Sequence, residues 1–191
     1  MIDRDYIEED IYNLEITESF ENIINNVTFH DCLFSKVVFK SENVNKVGFD
    51  NCNFTDCDLS NMDFEEGYFS NVSFKNSKMT GSIFTNGFLS NVTFSECVLD
   101  YTNFSGAKLN KVSFYSCDLS DSSFIESKVK TIKFEDVKFK GCEFRGTSLK
   151  KVDFSNSNID GILFDNYSIK GIVIDSMQAY SLIYMLGVLI K

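Results

Sequence analysis

The chain's reactive side chains are six cysteines, a single histidine and 28 carboxylates. Their spacing decides what chemistry they can do. Cys32, Cys52, Cys57, Cys97, Cys117 and Cys142 could in principle pair as disulfides or hold a metal ion. All of them, however, fall two residues before the apolar centre of a five-residue unit, where other units place Val, Ala, Ser or Thr. Thiols that exchange with small fillers read as compact, reduced core residues. His30 directly follows a centre, which predicts a surface position. One imidazole without an ordered Cys/His set builds neither a catalytic zinc site nor a histidine-based triad. No glycine-rich phosphate loop is present, and Gly106, Gly141 and Gly161 read as corner residues. Acid pairs such as Glu65-Glu66 and Glu135-Asp136 have the chemistry for proton transfer, but on a convex repeat they read as a solvated face. No catalytic, cofactor-binding or metal-ligating residue is assigned, no cofactor is expected, and the chain reads as a non-enzyme.

The element that positions these groups is the repeat itself. From Ile24 to Ile174 every fifth residue is apolar, and 18 of the 20 phenylalanines occupy that register. A period of five matches neither helix nor strand, so it marks a repeat array. Two inward and three outward residues per unit fit a coil that turns a corner in every unit. Successive coils then stack through backbone hydrogen bonds about 4.8 Å apart. Sorting the centres by twenties gives one row of Phe34, Phe54, Phe74, Phe94, Phe114, Phe134 and Phe154. A second row holds Phe64, Phe84, Phe104, Phe124, Phe144 and Phe164, and the rows between are mixed or aliphatic. A superperiod of twenty therefore predicts an all-β, quadrilateral parallel β-helix whose core is two opposed phenylalanine stacks.

The domain reading follows: residues 1–21 as an acidic N-terminal segment or cap, 22–174 as the β-helix, and 175–191 as a C-terminal helix and short strand. Proline is absent, as expected where nearly every amide joins a ladder. The first residues carry no apolar signal core, and no run is long enough to span a bilayer, so a soluble, cytoplasmic protein with no membrane contact is expected. The net charge is −10, of which residues 1–21 hold −7. The body is only mildly acidic, and its charge sorts by side. The two Phe-lined sides carry Asp56, Asp63, Glu65, Glu66, Glu96, Glu126, Glu135, Asp136, Glu143 and Asp153. One aliphatic side carries Lys108, Lys111, Lys128, Lys130, Lys150, Lys151 and Lys170. The acids are either ordinary solubilising charge or strips offered to a DNA-binding protein. Tyr68 and Phe88 stack in adjacent coils, either as a contact point or as a cover over Gly67 and Gly87.

Past Ile174, Asp175 or Ser176 can cap a helix that stops at Gly187, and Val188-Leu189-Ile190 then reads as a strand. This tail either shields the last coil or forms a homodimer seam. The residues proposed for the seam are Met177, Ala179, Tyr180, Leu182, Ile183, Met185, Leu186, Val188 and Leu189.

Segments such as Asn-Cys-Asn-Phe-Thr (51–55), Gly-Ala-Lys-Leu-Asn (106–110) and Ser-Cys-Asp-Leu-Ser (116–120) resemble the pentapeptide-repeat family. That resemblance implies a right-handed helix. The tail order Gln178-Ala179, Leu182, Leu186-Gly187-Val188 is similar to the Qnr, MfpA and McbG group of that family. This implies a DNA-mimic-type dimer that binds DNA gyrase or topoisomerase IV, protects it from quinolones or similar poisons, and makes no direct contact with nucleic acid. A scaffold with an unrelated partner, or an immunity protein against a topoisomerase-poisoning toxin, is the alternative. Many Qnr chains carry loops linked to drug protection. The register here never breaks, so no long loop is expected.

Overall fold

The computed structural model describes residues 6–19, 24–40, 44–185 and 187. It is a parallel β-solenoid closed at its C-terminal end by one helix. The strands are β1 (Tyr6–Ile7), β2 (Asp10–Tyr12), β3 (Glu15–Ile16), β4 (Ile24–His30), β5 (Leu33–Ser35), β6 (Val44–Asp50), β7 (Asn53–Thr55), β8 (Tyr68–Lys75), β9 (Phe88–Ser95), β10 (Lys108–Tyr115) and β11 (Lys128–Glu135). The helix is α1 (Ser176–Met185).

Each of β8 to β11 covers two adjacent sides, bending at a corner between two centres such as Phe69 and Phe74. The other two sides are held by single parallel bridges. One column runs from Val38 through Asp58, Lys78, Val98, Asp118 and Lys138 to Asn158, and the other from Asp63 through Ile83, Asn103, Ser123 and Glu143 to Leu163. Partners lie twenty residues apart, as the superperiod predicts. Corner amides continue the ladder, with Asn61 N–H to Thr80 O at 2.8 Å and Asp121 N–H to Lys140 O at 2.7 Å.

The corners explain the outward composition. The residue two after a centre adopts a left-handed backbone, as in Asn51, Asp56, Asn71, Glu96 and Asp121 (φ between 54° and 57°). Asn and Asp tolerate this conformation best among residues with a side chain, and glycine adopts it freely. At Gly141, with φ of 73°, an added Cβ would lie 2.2 Å from Asp121 Oδ1, so any side chain there requires the Asp121 carboxylate to move.

The core matches the two predicted stacks. Rings twenty apart lie nearly parallel, with centroids 4.8 Å apart for Phe94–Phe114 and for Phe104–Phe124. Rings ten apart meet edge-on across the core, at 6.2 Å for Phe94–Phe104 and 6.1 Å for Phe104–Phe114. Such pairs add to the roughly 1.5–3 kcal/mol of each buried ring. The structural-core set Phe34, Phe54, Phe74, Phe94, Phe104, Phe114, Phe124, Phe134, Phe144 and Phe154 is buried throughout.

The cysteines are free and buried in the described register, but they are more than filler. The Sγ of Cys97 lies 3.5 Å from Phe74 O, and that of Cys117 lies 3.5 Å from Phe94 O. Ser82 Oγ donates to Leu59 O at 2.6 Å, Thr102 Oγ1 to Met79 O at 3.0 Å, and Ser127 Oγ to Phe104 O at 2.8 Å. In each case a small inward donor reaches a carbonyl 23 residues earlier, and so satisfies a buried acceptor of the preceding coil. Burial pushes the Cys57 thiol up and the Cys142 thiol up to about 12, which keeps both protonated and inert.

Three departures from the expected regularity have local causes. The acidic N-terminal segment is already coiled: Tyr6 pairs with Ile24, Ile11 with Phe29 and Ile16 with Phe34, a spacing of 18 instead of twenty. His30 is half-buried rather than on the surface, because Tyr12 stacks on it at 4.7 Å. The register between β10 and β11 slips at Asn110, which pairs with Thr131. Thr131 stands at a corner where Asn71, Asn91 and Lys111 are left-handed. A β-branched residue is strained there, so Thr131 stays out of that conformation and the strand adjusts. The weakest repeat, 41–45, keeps the spacing, since Ile24 pairs with Val44 and Val27 with Val47; Glu42 itself lies outside the described residues.

At the far end, Asp175 caps α1. Its Oδ1 accepts the Met177 and Gln178 amides at 2.7 and 2.8 Å, while Gln178 Oε1 accepts the Asp175 amide at 3.0 Å. This is a reciprocal capping box. Gln178 Nε2 also donates to Phe154 O at 2.8 Å and Ser157 O at 2.7 Å, tying the helix to the last coils. Gly187 ends it with a φ of 73°. Just before α1, Asp165 accepts amides from Ser168 at 2.7 Å, Tyr167 at 3.2 Å and Gly146 at 3.0 Å. These bonds, with that of the Ser168 hydroxyl, hold its carboxyl down to about 2.

Phe104→Ala, in the middle of the stack, is predicted to cost about 3–5 kcal/mol in denaturant melts; a loss under roughly 1 kcal/mol would contradict a packed core. Asp165 has a depressed folded-state pKa. Its contribution is therefore complete above the unfolded value of about 3.9 and is lost as pH falls through about 2. Asp165→Asn should accordingly lower the urea midpoint at pH 7, with the gap to wild type closing towards pH 2.

Candidate protein-interaction surfaces

The surfaces that could recognise a partner are the outward positions of the coil and the free face of α1. No group of three or more His, Cys, Asp or Glu gathers among the described residues as a metal site would require. No helix among them is long and apolar enough to cross a membrane.

The ten acids on the Phe-lined sides do not form a continuous band. Asp56, Glu96 and Asp136 share one corner column with left-handed backbones, and Asn76 and Ser116 stand between them. Alternate coils put these carboxylates roughly 10 Å apart. Asn76 Nδ2 donates to Asp56 Oδ1 at 2.6 Å, which orients that carboxylate. Glu66 and Glu126 stand in another corner column, separated by Asn86 and Gly106. Asp63, Glu65 and Asp153 are exposed on the sides. Asp63 Oδ1 accepts the Glu65 amide and Asp153 Oδ1 the Ser155 amide, both at 2.9 Å, so these two also shape the local turn. The Ser155 bonds hold the Asp153 carboxyl below its ordinary value.

Two of the ten are already paired. Glu135 Oε2 lies 2.8 Å from Lys133 Nζ, which also sits 4.8 Å above the Tyr115 ring. Glu143, half-buried, pairs with Arg145. Both cations come from the same stretch of chain as their partners, a detail that a column-by-column reading of the acids overlooks. Eight carboxylates thus remain open to a partner.

The lysine side is cleaner. Lys108, Lys111, Lys128, Lys130, Lys150, Lys151 and Lys170 are all exposed, and none is ion-paired among the described residues. On the same side, Tyr68 and Phe88 stack at 5.5 Å with planes 8° apart. Sequence reasoning placed both sets correctly but did not connect them along one column.

The residues proposed for a dimer seam divide. Met177 and Tyr180 are exposed at 75% and 62%, and Tyr184, absent from the expected set, is exposed at 78%. Ala179 and Ile183 are half-buried. Leu182 instead turns onto its own last coil and is buried, lining a cavity of about 190 Å³ with Ile162, Phe164 and Ile169. It belongs to the cap. Leu186, Val188 and Leu189, with the expected terminal strand and the Met185 side chain, lie outside the described residues.

Comparison with known proteins bears on the fold. No curated protein matches the chain. Among solved structures, two trypsin-treated variants of QnrB1, a plasmid-mediated fluoroquinolone resistance protein, share 17% and 18% identity. They cover 95% and 98% of this chain and 100% and 98% of their own, with TM-scores of 0.40 and 0.42. HetL, a pentapeptide repeat protein involved in heterocyst differentiation regulation in the cyanobacterium Nostoc, shares 11% identity over 90% of this chain and 87% of its own, with a TM-score of 0.44. The family model for the pentapeptide repeat region matches residues 27–104 and again 102–174. That span coincides with the stacked centres, the small inward donors and the left-handed corners, and the chain belongs to the pentapeptide-repeat family.

Proposed function

We propose that this chain is a non-enzymatic, cytoplasmic interaction rod that binds a bacterial type II topoisomerase, DNA gyrase or topoisomerase IV, and protects it from quinolones or similar poisons. The observation that supports this reading is the set of open corner carboxylates, Asp56, Glu66, Glu96, Glu126 and Asp136, held at fixed intervals on a rigid body. A protein surface built to grip duplex DNA is positively charged, and such an array presents negative charge to it without flexible side-chain anchoring. The rod itself makes no contact with nucleic acid in this reading. It competes for the DNA-binding saddle or disturbs the drug-stalled cleavage complex.

The proposed functional unit is a homodimer through α1. Met177, Tyr180 and Tyr184 leave a large apolar face beside the capping contacts, and burying it would roughly double the length of the rod. A second reading is an interaction scaffold with a different partner, including immunity against a topoisomerase-directed toxin. It is favoured by the wide spacing of the acids and by the pairing of Glu135 and Glu143, which make the charge sparser than that of a duplex.

In a gyrase supercoiling assay with ciprofloxacin, the full-length chain at micromolar concentration is expected to restore supercoiling or, without drug, to inhibit it. No effect in either arm overturns the topoisomerase reading. Asp56→Lys with Glu96→Lys should weaken the effect at least tenfold and reduce its salt dependence. Separately, Tyr180→Asp with Tyr184→Asp should convert an end-to-end dimer to monomer in sedimentation equilibrium at 0.5 M salt; an unchanged mass there would place the dimer elsewhere.

A further inference from the structure

One side of the rod changes character along its axis. Its outward column, read from strand register, runs Asp10, Thr28, Gly48, Tyr68, Phe88, Lys108 and Lys128. The neighbouring column runs Tyr12, His30, Asp50, Ser70, Ser90 and Asn110. In the first three coils this side presents Asp10, Asp31 and Asp50, with Lys46 as its one lysine or arginine, at the leading corner. His30 stands between two of them, 3.8 Å from Asp10 and 3.5 Å from Asp50. In the later coils it presents Lys108, Lys111, Lys128, Lys130, Lys150 and Lys151, with Glu126 as its one carboxylate, at the leading corner beside Lys128. The stacked Tyr68 and Phe88, flanked by Ser70, Ser90, Asn71 and Asn91, separate the two regions.

We propose that this side docks a second copy of the chain, side by side and antiparallel. A two-fold axis running across the rod between the Tyr68 and Phe88 coils sets each outward column against itself and reverses the order of coils. Tyr68 then meets the partner's Phe88. The Asp50 coil faces that of the partner's Lys108 and Lys111. The Asp31 coil faces Lys128 and Lys130 in the partner, and the Asp10 coil faces its Lys150 and Lys151. Outside the leading corner column every charged coil thus meets its opposite, and the aromatic pair meets itself, as an isologous interface requires. Sliding by a single coil leaves one ring facing its own copy, Tyr68 or Phe88, in place of two Tyr68–Phe88 contacts, and sets the other ring against a charged coil. A parallel arrangement sets lysine against lysine, which costs energy directly.

A continuous polyanion such as duplex DNA fits this side less well. The later coils would attract it, but Asp10, Asp31 and Asp50 on the same flat side would repel it. The contact is small. Eight coils at about 4.8 Å by roughly 10 Å of strand bury on the order of 800 Å² for both copies together. That places it among weak, reversible interfaces that salt dissolves. It is independent of α1 and of any topoisomerase.

The test uses the full chain carrying Tyr180→Asp and Tyr184→Asp, so that association through α1 is removed. Sedimentation equilibrium at low salt is expected to show a dimer that dissociates at 0.5 M salt. Lys108→Glu with Lys128→Glu, and separately Asp31→Lys with Asp50→Lys, should each weaken it at least tenfold. Lysine already occupies the same left-handed corner at Lys111 and Lys151, so Asp31→Lys is compatible with the fold, and thermal melts confirm folding of each variant. Mixing the two variants should restore a heterodimer of near wild-type affinity, because each then supplies the charge the other lost. Because all six native cysteines are buried, Thr28→Cys mixed with Lys128→Cys should crosslink through a short bismaleimide, whereas Lys128→Cys alone should not. Retained dimerisation in both charge variants, or no rescue on mixing, overturns the proposal. So does a wild type that remains monomeric while binding a fluorescent 20-base-pair duplex through Lys108 and Lys128, which would make the side a polyanion site.

Discussion

Two phenylalanine rings meeting edge to face set the width of this rod. The contacts between rings ten residues apart, close to 6 Å throughout the middle coils, fix the distance between opposite sides. With the width fixed, each side holds one centre and one small inward residue, and the chain must turn sharply after it. The left-handed corners, the preference for compact groups at the second inward position and the outward direction of the other three residues all follow. Parallel stacking of the same rings repeats this cross-section from coil to coil.

A cross-section repeated so faithfully leaves little freedom for a binding pocket. Recognition has to rest on corner and side residues whose backbone is already committed, which is the opposite of a loop-built site. The corners have a useful property here. Asn51, Asn71, Asn91 and Lys111 occupy successive levels of one column with nearly the same φ, so neutral and charged residues exchange there without rearranging the core. The family can therefore keep one body and write different charge patterns on it.

The period of five and the superperiod of twenty made the fold legible because they report on burial, and burial is a property of position alone. Phe94, Phe104 and Cys97 could be placed inside the rod by counting. What counting missed depends on partners twenty or more residues away or on rotamer choice. Ser82 and Thr102 look like small fillers until the Leu59 and Met79 carbonyls lie beside them. Glu135 and Glu143 look like open acids until Lys133 and Arg145 reach them. The slip at Thr131 needed the backbone conformation of its column, and the 18-residue first coil carried no intact repeat to count. The burial of Leu182 against its own last coil escaped counting because helical spacing identifies an apolar stripe but not which structure it packs against.

The helix that ends the rod has a consequence beyond shielding apolar surface. A parallel solenoid terminates in a row of unsatisfied amides and carbonyls in the geometry another coil would use, and such an edge templates indefinite growth. The Gln178 amide occupies two of those acceptors, Phe154 O and Ser157 O, and α1 lies where the next coil would begin. One side chain on a capped helix thereby closes part of the edge that a further coil would otherwise extend.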